Sequence, residues 1–88
     1  MKTNHSKIDF TTFILSISSA AFMGLGLTEN PNSKKIETDL ELSRHNIDLL
    51  ELLKEKTKNN LNVDEQKLLD HLLYETRISY VEIQKKES

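Results

Sequence analysis

Between Asp9 and Glu29 the chain carries no charged residue, although 30% of its 88 residues are charged. The same window holds all three phenylalanines (Phe10, Phe13 and Phe22), both glycines (Gly24 and Gly26) and the only internal methionine, Met23. Such a segment must be covered by something: a bilayer, the rest of a small chain, or a second copy.

Composition narrows the choice. Eighty-eight residues make one domain at most, below the size at which a single core is comfortable. The apolar fraction, 36%, is low for a globular chain. A net charge of −2 gives no electrostatic attraction to nucleic acid or anionic lipid. No cysteine is present, which excludes disulfides and thiolate metal sites. Small domains without such staples often lean on a partner subunit. Two glycines and one proline leave room for long helices and little sheet. No internal repeat or low-complexity tract interrupts them.

Asp9 is placed to cap a helix through the free N–H groups of its first turn. Phe10, Phe13, Ile14, Ile17 and Ala21 then recur at helical spacing, and Leu15, Phe22 and Leu25 cover another face. The remaining stripe, Thr12, Ser16 and Ser19, is small and polar. Gly24 and Gly26 supply a stop, so the spacing predicts a helix over 10–25. Read as a membrane span, residues 10–27 reach about 27 Å against roughly 30 Å of hydrocarbon. Five Ser/Thr residues and two glycines weaken that reading further. Lys2, Lys7 and Ser19-Ala20-Ala21 imitate a signal peptide, but Asp9 breaks the pattern. A helix buried in protein fits better, and Ser16, Ala20 and Gly24 form a small-residue stripe that lets another backbone approach.

Residues 28–37 are polar, include Pro31 and read as a loop. Thr38 with Glu41 fits a capping box opening a helix over 39–58, which displays Leu40, Leu42, Ile47, Leu49, Leu50, Leu52 and Leu53. Asn59 suits a left-handed position after it. Asn62 with Glu65 opens a third helix over 62–84, carrying Val63, Leu68, Leu69, Leu72, Leu73, Ile78, Val81 and Ile83 with Tyr74 and Tyr80. So short a connection makes the second and third helices antiparallel. A turn centred near Asn60 sets Leu53 opposite Leu68 and Ile47/Asp48 opposite Leu72/Leu73. The expected fold is all-α: a short apolar N-terminal helix packed on a long antiparallel helical hairpin. One domain spans 9–84, with a disordered tail over 1–8 and a C-terminal tail over 85–88. Phe13, Ile17, Leu50, Leu53, Leu69 and Leu72 are its expected core.

Candidate chemistry is sparse. Glu41, His45 and Asp48 share a helical face, with Glu75 placed to face them, yet the Glu-x-x-His pairs of di-iron bundles are absent. Neither a Gly-x-Ser-x-Gly elbow nor a glycine-rich phosphate loop occurs. Lys54, Lys56 and Lys58 alternate with Glu51 and Glu55, which makes a solvated face rather than a nucleic-acid patch. Asp48 and Arg77 sit in the most apolar stretches of their helices and are expected to form a structural polar pair. No catalytic, cofactor-binding or metal-ligating residue is assigned.

The strings DFTTFILSI (9–17), IDLL (47–50), EKTKNNL (55–61), LLYETR (72–77) and YVE (80–82), in this order and spacing, resemble a family of small bacterial proteins known only as a domain of unknown function. The resemblance covers residues 9–82 and implies a short helical protein whose first segment belongs to the mature domain. The family usually shows Gly where Asn59 stands and Thr where Asn62 stands, and both replacements keep their roles. Thr76 stands where Leu is expected. No catalytic residue comes with the family.

The expected protein is therefore non-enzymatic, cytoplasmic and homo-oligomeric, an adaptor or regulatory subunit with another protein as a further possible partner. A helix apolar on most sides is not enclosed by one hairpin, so Phe10, Phe13, Ile14, Ile17, Ala20, Phe22, Gly24 and Leu25 form the expected interface. The alternative is a peripheral inner-membrane protein docking through 10–25. No nucleic-acid partner is expected.

Overall fold

The structure is a computed structural model and describes residues 9–87. The tail expected over 1–8 lies outside the described residues, as does Ser88. Three helices follow one another: α1 (Phe10–Gly24), α2 (Leu40–Lys56) and α3 (Val63–Glu87).

Asp9 caps α1 as expected, with extended backbone and its carboxylate accepting the Thr12 N–H at 2.7 Å. The helix ends in a Schellman motif. Gly26 takes the left-handed conformation (φ 75°), its N–H donates to the Met23 carbonyl at 3.0 Å, and the Leu27 N–H donates to Phe22 at 3.1 Å. Gly26 is thus the stop, while Gly24 serves a close approach. A Cβ built on Gly24 would stand 2.8 Å from the Asp39 carbonyl oxygen and 2.8 Å from the Ser43 nitrogen.

The connection closes on itself before α2 begins. Leu25 and Thr38 form an isolated antiparallel bridge, and the Asp39 N–H donates to the Gly24 carbonyl at 2.7 Å. That engagement moves the helix cap one residue on from Thr38. Asp39 accepts the Leu42 N–H at 3.1 Å in its place. After α2, Asn59 adopts the left-handed region (φ 69°) as its side chain allows. The Asn62 capping box is reciprocal: the Glu65 N–H donates to Asn62 Oδ1 at 2.8 Å, and the Asn62 N–H donates to Glu65 Oε1 at 3.0 Å. Helix α3 continues through residues 85–87, expected as tail, where Lys85 and Lys86 in the last turn complement its dipole.

All three helices pack on one another. The core holds Ile14, Ile17 and Ala21 of α1, Ile47 and Leu50 of α2, and Leu69, Leu72 and Leu73 of α3. Each large member contributes about 1.5–3 kcal/mol by leaving water. Of the six expected core residues, Ile17, Leu50, Leu69 and Leu72 are buried and Leu53 is half-buried. Phe13 is not: 43% of it remains exposed. The buried face of α1 is turned towards Ser18 and Leu25, which leaves Phe13 and Leu15 on opposite flanks and Thr12, Ser16 and Ser19 outward. Thr76 is wholly buried, and its hydroxyl donates back to the Leu72 carbonyl at 2.7 Å. Among the described residues, no helix is long and apolar enough to cross a membrane.

The molecule is a slab, 43 × 33 × 16 Å between its outermost Cα positions. Two layers account for its thinness, since packed helices stand 8–10 Å apart: α1 on one side, the α2–α3 hairpin on the other.

Candidate interaction surface

The chain itself occupies much of the interface expected on α1. Ile14, Ile17, Gly24 and Leu25 are buried inside the single chain, against α2 and α3. Phe10, Ala20 and Phe22 are half-buried, and Phe13 stands on the exposed flank. A face this well filled leaves the small polar stripe as the outward side of α1.

More large apolar side chains lie outward on α3. Leu69, Leu72, Leu73 and Thr76 form its packed face. On the opposite face Tyr74 is 61% exposed, Ile78 40% and Val81 47%. Their spacing of four and then three residues makes one continuous stripe. An outward helix face is ordinarily charged or polar, so α3 is apolar on two sides. The sequence names these residues as apolar positions of the third helix without dividing them between faces; the second stripe is visible there only as apolar positions too numerous for one packed arc.

Val81 also edges a groove between α2 and α3, whose lining includes Arg44, Ile47, Asp48, Glu51, Arg77 and Tyr80. The groove continues to Leu40, Glu41 and His45 at the start of α2. Its lining comes from α2 and α3. Three ion pairs cross or flank this side: Lys54 with Asp70 at 3.0 Å, Arg44 with Asp48 at 3.8 Å, and Arg77 with Glu51, the Arg77 Nε donating at 2.9 Å. Asp48 and Arg77, expected to pair with each other, share the groove wall but hold these other counter-ions. Helix register explains the exchange. Setting Leu53 opposite Leu68 would place Lys67 opposite Lys54 and Asp70 opposite Glu51. Instead Lys54 meets Asp70 and Glu51 meets Arg77, so α3 is shifted along α2.

The perturbed groups all favour their charged forms. The Thr12 backbone N–H holds the Asp9 carboxyl below its ordinary value. The Lys54 ammonium does the same for Asp70, helped by Gln66. The Tyr80 hydroxyl, followed by Asp48, raises the Arg44 guanidinium. Among the described residues, no group of three or more His, Asp or Glu side chains is placed to hold a metal ion. Glu41, His45 and Asp48 share the groove without converging on a point.

Fold and surface together define a small all-α protein of two helical layers. The chain belongs to the family described as a domain of unknown function (DUF1844), whose pattern matches residues 7–82. No curated protein and no solved structure matches it.

Proposed function

We propose that this chain is a non-enzymatic helical protein of the bacterial cytoplasm that acts by self-association, as an adaptor or regulatory subunit. The observation that carries the reading is the second apolar face of α3, where Tyr74, Ile78 and Val81 stand in water opposite the packed face. Apolar anchors repeating at helical spacing are how one helix recognises another surface. A catalytic role finds no support in the titrating groups. Asp9, Asp70 and Arg44 are pushed towards charge, whereas acid–base catalysis uses groups moved towards neutrality at working pH. Of the α1 residues first expected at an interface, Phe10, Phe13, Ala20 and Phe22 keep surface to offer a partner. Light scattering on the full chain at tens of micromolar tests the reading. A mass above the 10.2 kDa of one chain supports it, and a monodisperse monomer overturns it.

A further inference from the structure

We infer that α3 is jointed at Thr76: residues 63–76 belong to the core, and residues 77–87 form an arm that opens and closes the α2–α3 groove as a unit. Such a joint belongs to the single chain and does not depend on self-association.

Burial divides the helix at that residue. Leu69, Leu72, Leu73 and Thr76 are its buried residues, and every described residue after Thr76 is half-buried or exposed. The arm, residues 77–87, is about 16 Å of helix. Clefts open on both its flanks. One of about 310 Å³ is shared with Arg44, Ile47 and Asp48 of α2, and one of about 490 Å³ is lined by Leu27 of the connection with Glu82 and Ile83. Side chains that interdigitate leave no such space.

Local preference divides the helix at the same place. Five of the six residues over 76–81 (Thr76, Ile78, Ser79, Tyr80 and Val81) are weaker helix formers than Ala, Leu, Lys or Glu. A stretch of that kind depends on packing for its helicity, and packing is what it lacks. The Thr76 hydroxyl meanwhile donates to the Leu72 carbonyl at 2.7 Å and to the Leu73 carbonyl at 3.2 Å. The Leu73 carbonyl is also the one that Arg77, the first residue of the arm, uses to stay in the helix. Back-bonding of this kind bends and loosens helices.

Arg77 and Tyr80 tie the arm to α2. The Arg77–Glu51 pair is about half exposed on both sides. Tyr80 packs against the core, and its hydroxyl meets Arg44. Ile47 on α2 and Tyr80 on the arm line the same cleft, so the position of the arm sets the cleft's width. Lifting the arm breaks these ties and leaves Leu69, Leu72 and Leu73 in place. Segments that move in regulated proteins are drawn from such weakly held parts of a fold.

Native-state hydrogen exchange on the full chain tests the joint. Amides of residues 79–86 are expected to exchange about a hundredfold or more faster than those of 69–76, with a step and not a slope between the two groups. Their rates should scarcely respond to urea below the unfolding midpoint, because a local opening exposes little surface. Glu51→Gln removes the tie beside the joint. It should speed exchange in the arm about two- to fivefold while leaving 69–76 unchanged. Thr76→Val keeps the shape and loses the hydroxyl, so the step should narrow. Exchange that quickens smoothly from residue 76 to 87 is ordinary fraying and overturns the arm. A single urea dependence across 69–86, or a Glu51→Gln effect shared equally by both groups, overturns it as well. A step unchanged in Thr76→Val overturns the joint at that residue.

Discussion

Gly24 and Ser43 meet where the end of α1 crosses the start of α2, and each makes a separable demand on its position. A methyl group at residue 24 would collide with backbone atoms of Asp39 and Ser43, not with side chains that could turn aside. Gly24→Ala is expected to destabilise the fold by about 1–3 kcal/mol, the usual range for overpacking, as read from urea denaturation midpoints. Ser43 is fully buried and its hydroxyl has no hydrogen-bond partner. Removing an orphaned polar atom relieves its desolvation, so Ser43→Ala should hold or raise stability by about 1 kcal/mol. Thr76 is the counter-example, since its equally buried hydroxyl is bonded to Leu72.

The helices show which parts of a sequence speak locally. Asp9, Asn59 and the Asn62–Glu65 box were legible because each acts within four residues of itself. Asn62→Ala should therefore cost about 1 kcal/mol, measurable as a lower denaturation midpoint with unchanged helix content. Leu50, at the centre of α2 and fully buried, should cost about 2–5 kcal/mol when cut to Ala. The rotation of α1 was less legible. Apolar residues on three sides let Phe13 and Leu25 compete for the core, and the close crossing at Gly24 decided for Leu25. Hairpin register was likewise hidden, because it depends on how far the turn after α2 carries the chain before Asn62. The outer stripe of α3 is hidden in the sequence for the same reason. Periodicity identifies apolar positions, and only packing shows which of two faces is covered.

Taken whole, the slab is two helices deep, and its acid response should follow its exposed carboxylates. Asp9 and Asp70 both have folded values below those of the unfolded chain. The stability they add is in place above about pH 4 and is lost as pH falls through the folded values. Thermal scans across that range should show a falling midpoint, and Asp70→Asn should flatten part of the fall. Both groups are solvent-exposed, so salt should weaken the effect. The bridge between Leu25 and Thr38, with the Asp39–Gly24 hydrogen bond beside it, has a kinetic consequence. It ties α1 to α2 across a short connection, while α2 meets α3 across a shorter one, so only the α1–α3 contacts must wait for a long stretch of chain to close. Folding should then begin at the short α2–α3 turn and finish as α1 closes on both, on the order of microseconds to milliseconds as for other helical domains of local topology. In stopped-flow chevrons, Leu69→Ala should chiefly slow refolding and Gly24→Ala chiefly speed unfolding.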